Sequence, residues 1–304
     1  MNNFGILCLI ALYGASYTAV DGASRILGGS AVNNNQFRYM VSLQRLSEVT
    51  QLTRGHRCGG ALISFSRAVT AASCLYDNNA GTFSLITPAQ YRLFAGATRL
   101  NDDSFPERIE RISSFTVHPQ FVPTQRFIND IAVITTARPY SAFVVMTLAV
   151  PIADINIAEL GVSISTGWGG QNASASASYQ LMFTENRVTE NADCNTAYNQ
   201  LGTPISMQPS MVCAMPLINT SGCQGDLGNP LVYDSNLLGV LFLSKDCATP
   251  TLEPTPDVYT KVFTHRNWLN EVLNSPLPSG ASTYQSGIGL VAIFAVVQVV
   301  ATMS

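Results

Sequence analysis

The side chains of this chain that could do chemistry are hydroxyls, carboxylates, imidazoles and thiols. A hydroxyl nucleophile needs a base beside it. The only imidazoles are His56, His118 and His265. Two cysteine-flanked segments carry the densest polar chemistry. Thr70-Ala71-Ala72-Ser73-Cys74 holds hydroxyls, and Cys223-Gln224-Gly225-Asp226-Leu227-Gly228-Asn229-Pro230 holds a carboxylate next to an aliphatic residue in a glycine-rich turn. A third segment, Asn129-Asp130-Ile131-Ala132-Val133, puts a carboxylate ahead of an apolar run. Of the seven cysteines, Cys8 lies in the apolar N-terminal stretch; Cys58, Cys74, Cys194, Cys213, Cys223 and Cys247 remain. An even count points to three disulfides, for which six cysteines allow 15 pairings. No C-x-x-C pair occurs, so neither a metal site nor a cofactor is expected.

The segment at 223–230 resembles the Gly-Asp-Ser-Gly-Gly-Pro signature of trypsin- and chymotrypsin-like serine proteases. Leu227 stands in the place of the nucleophilic serine and Asn229 in that of a glycine. The segment at 70–74 resembles that family's Thr-Ala-Ala-His-Cys, with Ser73 in the place of the general base, and Asp130 matches the third triad member. The resemblance spans roughly residues 26–274. It implies that the triad-equivalent positions Ser73, Asp130 and Leu227 hold no intact catalytic set. Leucine has no lone pair to attack with, and the serine hydroxyl has no useful pKa near neutrality. No histidine falls at a triad position. The oxyanion-equivalent donors are the backbone N–H groups of Gly225 and Leu227. The resemblance therefore implies a non-catalytic homologue that binds extracellular proteins as regulator, cofactor or decoy: a protease, an inhibitor or a surface ligand. The competing reading is an active endopeptidase with non-standard catalytic groups.

Other landmarks follow from the same resemblance. Arg25-Ile26-Leu27-Gly28-Gly29 is similar to an activation site cut after Arg25, whose freed Ile26 amine would pair with Asp226 and order the binding loops. A cut there would make the protein a proteolytically gated binder. His56 matches a histidine that holds this aspartate in uncut family members; its other reading is a partly buried barrel histidine. Ser221 aligns with the floor of the specificity pocket, and Phe242-Leu243-Ser244 with its wall. Asp257 replaces a wall glycine and is read either as an acid entering the pocket from the side or as a solvated turn residue. The implied disulfides are Cys58–Cys74, Cys194–Cys213 and Cys223–Cys247.

The elements that must position these groups are short β signals. Residues 38–46, 61–63, 91–95, 109–117, 131–134, 162–166, 181–188, 231–233, 237–243 and 258–263 are apolar or alternating runs separated by Gly, Pro, Asn and Asp. They predict an all-β barrel or sandwich. The resemblance selects two antiparallel β-barrels of the chymotrypsin-like fold with a C-terminal helix packed on the second. Trp268, Leu269, Val272 and Leu273 mark that helix, which Pro276 stops.

The expected organisation is a signal peptide at 1–22, a short propeptide remainder at 23–25 and the protease-like domain at 26–274. Within the domain, 26–140 would form the first barrel, 141–263 the second and 264–274 the helix. A stalk follows at 275–286 and an apolar tail at 287–304. Small residues at Ser279 and Gly280, a polar spacer and the tail match a glycosylphosphatidylinositol-anchor signal; a plain terminal span is the other reading. Asn172 and Asn219 head glycosylation sequons. The protein is thus expected to be secreted or held on the extracellular face of the plasma membrane. With 16 Lys+Arg against 19 Asp+Glu, the net charge of −3 gives no footing for nucleic acid.

Overall fold

The computed structural model describes residues 29–33, 36–102, 104–125, 127–154, 156, 161–170, 177–202, 204–218, 225–244 and 255–278. The expected signal peptide and propeptide, Arg25, Ile26, the sequons at Asn172 and Asn219, Ser221, the Cys223–Cys247 bridge, Ser279, Gly280 and the apolar tail lie outside the described residues.

In chain order the strands are β1 (Ser30–Ala31), β2 (Met40–Arg45), β3 (His56–Ser64), β4 (Arg67–Thr70), β5 (Tyr76–Asn79), β6 (Thr82–Leu85), β7 (Tyr91–Ala95), β8 (Ile109–Val117), β9 (Ala132–Thr136), β10 (Ser163–Gly167), β11 (Met182–Thr189), β12 (Met211–Pro216), β13 (Pro230–Tyr233), β14 (Asn236–Leu243) and β15 (Asp257–Lys261). The helices are α1 (Asn191–Gln200) and α2 (Arg266–Asn274). Strands β2-β3-β4-β9-β8-β7 close a six-stranded barrel, and β5 and β6 form a hairpin beside it. A second barrel runs β11-β10-β13-β14-β15-β12 and closes through the β11–β12 pairing. All the pairings are antiparallel. The chymotrypsin-like double barrel expected from the sequence is the fold observed.

Two-residue periodicity divides the buried residues of the first barrel's strands between two cores. On β3, Leu62 enters the barrel's own core while Ala61 and Ile63 face a larger cluster that spans both barrels. Strands β4 and β9 divide the same way: Ala68, Ala132 and Ile134 turn inward, Val69 and Val133 outward. The outward set meets Trp168, Leu181, Val240 and Leu269 at the seam. A polar outward face on these strands would leave the seam unfilled.

Two assignments need correction. The strand β1 lies inside the segment given to the first barrel, but it pairs with β11 of the second, Ser30 opposite Phe183 and Ala31 opposite Met182. The C-terminal helix is not confined to the second barrel. Leu269 is fully buried in the seam cluster, and the Trp268 ring lies 5.0 Å from that of His118 in the first barrel. Arg67 on β4, only 5% exposed, donates to the Leu273 carbonyl at 2.5 Å and to the Ser275 carbonyl at 2.5 Å. These acceptors belong to the helix end, where carbonyls lack intrahelical partners. The helix therefore straps the second barrel to the first.

The Cys58–Cys74 and Cys194–Cys213 bridges are both present. The first ties β3 to the turn that holds Ser73; the second ties α1 to β12. Disulfides of this kind fit an oxidising, extracellular compartment. No helix among the described residues is long and apolar enough to cross a membrane.

Replacing Arg67 by Met keeps the length of the side chain and removes its donors. Removing the charged donor from these part-buried carbonyls is expected to lower unfolding stability by about 1–3 kcal/mol. A urea titration checks this, with faster amide exchange expected at the end of α2.

Candidate functional site

Ser73 sits in a short 3-10 turn, Ala72–Leu75, directly after β4. Its backbone N–H, not its hydroxyl, donates to Asp130 Oδ1 at 2.7 Å. The Ser73 Oγ is shielded from solvent and makes no hydrogen bond. Asp130 is 1% exposed and heads β9. Its own carbonyl accepts from Thr260 Oγ1 of the second barrel at 2.9 Å. Asn129, in the left-handed region at φ 51°, turns the chain into that position, and its Oδ1 lies 3.1 Å from His265 Nε2. Asparagine tolerates this conformation better than most residues. The carboxylate thus remains aimed at the 70–74 segment although no imidazole is there to receive it.

Leu227 occupies the head of a tight turn between Gly225 and Pro230. Its side chain is partly buried against the seam cluster, and its carbonyl accepts from the Gly59 N–H at 3.0 Å. Gly228 N donates to the Leu241 carbonyl at 2.8 Å, which fixes the turn to β14. Gly228 also lies against Thr70 and Ala71, so the turn and the Ser73 segment are neighbours. Ser73, Asp130 and Leu227 are therefore brought together at the seam.

His56 does not hold Asp226. Its Nε2–H donates to the Gly225 carbonyl at 2.9 Å, and its Nδ1 accepts from the Ser42 hydroxyl at 2.7 Å. A carbonyl can only accept, which settles this tautomer. Asp226, 2% exposed, instead accepts at Oδ1 from the Gly169 N–H at 2.8 Å and from Asn229 Nδ2 at 2.7 Å. The histidine and the aspartate thus pin opposite sides of one turn.

At the start of β15, Asp257 is 3% exposed and its Oδ1 accepts from the Ser244 hydroxyl at 2.6 Å. The solvated-turn reading of Asp257 is overturned by that burial. Phe242, 5% exposed, packs with Cys194, Tyr198, Met211 and Val258, so most of its ring belongs to the core around α1. Its edge meets Phe127 at 6.0 Å between centroids, and Phe127 stays 46% exposed. Sequence reasoning missed Phe127 and the amide of Asn229. The signal for Phe127 was its place three residues before Asp130. Among the described residues no cluster of three or more His, Cys, Asp or Glu side chains could hold a metal.

The family model described as Trypsin matches residues 26–269. Trypsin alpha of Drosophila melanogaster is 30% identical over 257 residues, covering 84% of this chain and 90% of its own. A vitellin-degrading protease of Bombyx mori is 29% identical, covering 89% and 95%. Among solved structures, human heparin binding protein superimposes with a TM-score of 0.61 at 27% identity, covering 83% of this chain and 99% of its own. Mouse neuropsin, a serine protease, superimposes with a TM-score of 0.66 at 24% identity, covering 82% and 100%.

Burial pushes the His56 imidazole from 6.5 down to about 4, with its bond to Gly225 opposing the shift. Burial and the nearby His265 lower His118 from 6.5 to about 4, and burial lowers His265. The unfolded chain binds these protons at a pH where the folded chain does not. Stability is therefore expected to be complete above pH 6.5 and to fall as pH drops towards about 4. The His56 share is roughly 2–3 kcal/mol. Urea titrations across this range check the slope, and His56→Gln should remove part of it.

Proposed function

This chain belongs to the trypsin family of serine proteases, and we propose that within it the protein is a non-catalytic homologue that acts by binding other extracellular proteins. The observation that carries the reading is Leu227: the position of the attacking hydroxyl holds an aliphatic side chain packed against the seam. Three further features support it. The Ser73 hydroxyl has no partner to take its proton, and the Asp130 carboxylate receives a backbone N–H. The imidazoles of His56 and His265 are bonded elsewhere, and the His118 ring packs edge-on to His265 and Trp268. In subtilisin, losing the serine or the histidine alone costs about 10⁶-fold in turnover. Both groups are replaced here.

The relative named heparin binding protein shows that a name in this fold class can denote binding. Its ligand does not transfer, because a net charge of −3 offers no complement to a polyanion. The partners proposed are a protease, an inhibitor or a surface ligand that meets the cleft. Two disulfides fit a secreted protein, and the apolar tail after Gly280 is proposed to exchange for a lipid anchor.

One observation supports a second reading, an endopeptidase with improvised groups: the part-buried Ser244–Asp257 bond would line the expected pocket wall with polar groups. A fluorophosphonate probe separates the two. Purified protein cut after Arg25 is expected to take no label and to leave peptide substrates intact. The double variant Ser73→His/Leu227→Ser is expected to gain labelling. Label on the unchanged chain, abolished by one point substitution, would refute the binding reading. Phosphatidylinositol-specific phospholipase C is expected to release the protein from expressing cells; retention would favour a spanning tail.

A further inference from the structure

We infer that Asn229 is a positioning residue that holds the turn at 225–229 in its binding conformation, and that it does so before any cut after Arg25. The inference starts from a solvation problem. The Asp226 carboxylate is 2% exposed, and a buried charge is tolerated only when donors replace its water. Asn229 Nδ2 supplies one at 2.7 Å and the Gly169 N–H another at 2.8 Å. Both donors are neutral and are present whether or not the chain is cut. The bond to a carboxylate, which can only accept, assigns the amide orientation.

The surroundings are shaped for this pair. Asn229 is itself 3% exposed. A Cβ on Gly59 would fall 1.7 Å from Asn229 Oδ1, one on Gly167 1.9 Å from Asn229 Nδ2, and one on Gly169 1.9 Å from Asp226 Oδ2. Gly59 lies on β3 of the first barrel; Gly167 and Gly169 lie at the end of β10 in the second. Glycines from both barrels thus clear one slot, which the carboxylate and the amide fill together. The Asn229 N–H also donates to the Asp226 carbonyl at 3.0 Å, so backbone and side chain close the same loop. Asn229 Oδ1 accepts no hydrogen bond. The slot therefore leaves a buried acceptor unsatisfied, so bonding at Oδ1 contributes nothing to the placement of this residue, and its polar role runs through Nδ2.

The consequence concerns the order of the turn alone and holds whether or not the cleft does chemistry. A glycine at 229 would have no side-chain donor to offer, and the carboxylate would lose this bond while keeping that of the Gly169 N–H; an amine released by cleavage would then supply the donor that the amide supplies here. With asparagine there, cleavage at Arg25 adds little to the order of the turn, and the gate expected from Arg25, Ile26 and Asp226 is already latched.

The test compares amide exchange at residues 225–229 and 167–169 in four proteins. These are the full chain held uncut by Arg25→Gln, the same chain with Asn229→Gly, and the trypsin-cut forms of the parent and of Asn229→Gly. Parent exchange is expected to agree within twofold between cut and uncut. Uncut Asn229→Gly is expected to exchange at least tenfold faster there, with β7 unchanged, and cutting is expected to restore its protection. A merely structural substitution would not be rescued by cleavage. Equal protection in uncut Asn229→Gly and its parent would overturn the inference, as would a tenfold gain of protection when the parent is cut. If Asn229→Gly does not fold, Asn229→Ala keeps the Cβ, loses only the amide, and serves the same comparison.

Discussion

The arrangement of the cleft depends on a carboxylate withdrawn from water where the two barrels meet. Asp226 belongs to the turn before β13, yet the slot around it is bounded by Gly59 of the first barrel and by Gly167 and Gly169 of the second. Each of those backbones approaches so closely that a methyl group would collide with Asp226 or with Asn229. The orientation of the carboxylate is thus coupled to the distance between the barrels. His56 completes the coupling from the other side by donating to the Gly225 carbonyl. A buried polar network of this sort stabilises only when its main groups are satisfied, and that requirement couples the turn, the seam and the cleft.

Much of the architecture was legible because half-buried strands write a period of two into the chain. Residues 91–95 and 109–117 coincide with β7 and β8. The misses share physical causes. The segments that became β4 and β12 were passed over: β4 is buried along its whole length, and β12 along all but one position, so neither alternates. Helix α1 was not assigned from the sequence; it buries only Cys194 and Tyr198, one turn apart, and its disulfide to β12 holds it down. The partner of β1 could not be read because a two-residue strand carries no pattern.

Within the site, the positions of Ser73, Asp130 and Leu227 followed from segment resemblance, and the structure brings them together. Their hydrogen bonds did not follow. That Asp130 receives the Ser73 backbone N–H depends on the path of the 3-10 turn after β4, which no residue type encodes by itself. Asn229 read as drift because it replaces a glycine; only its contact with Asp226, three residues earlier, shows the replacement to be bonded. Asp257 was ambiguous between pocket and solvent; its burial excludes the solvated turn, and its bond from the Ser244 hydroxyl could not be read from the sequence. In each case residue identity located the group, while its partner was set by the path of the backbone.

The two ends of the domain cross over. Strand β1, at its start, joins the second barrel, and α2, at its end, is clasped by Arg67 of the first. A nascent chain emerging from the ribosome can pair the six strands of the first barrel early, but it cannot complete the seam until the last residues of α2 have left the exit tunnel. Premature termination upstream of α2 would leave Arg67 without its acceptors and the seam cluster without Leu269. A truncated polypeptide would therefore lack the clasp between the two halves even where each barrel had closed.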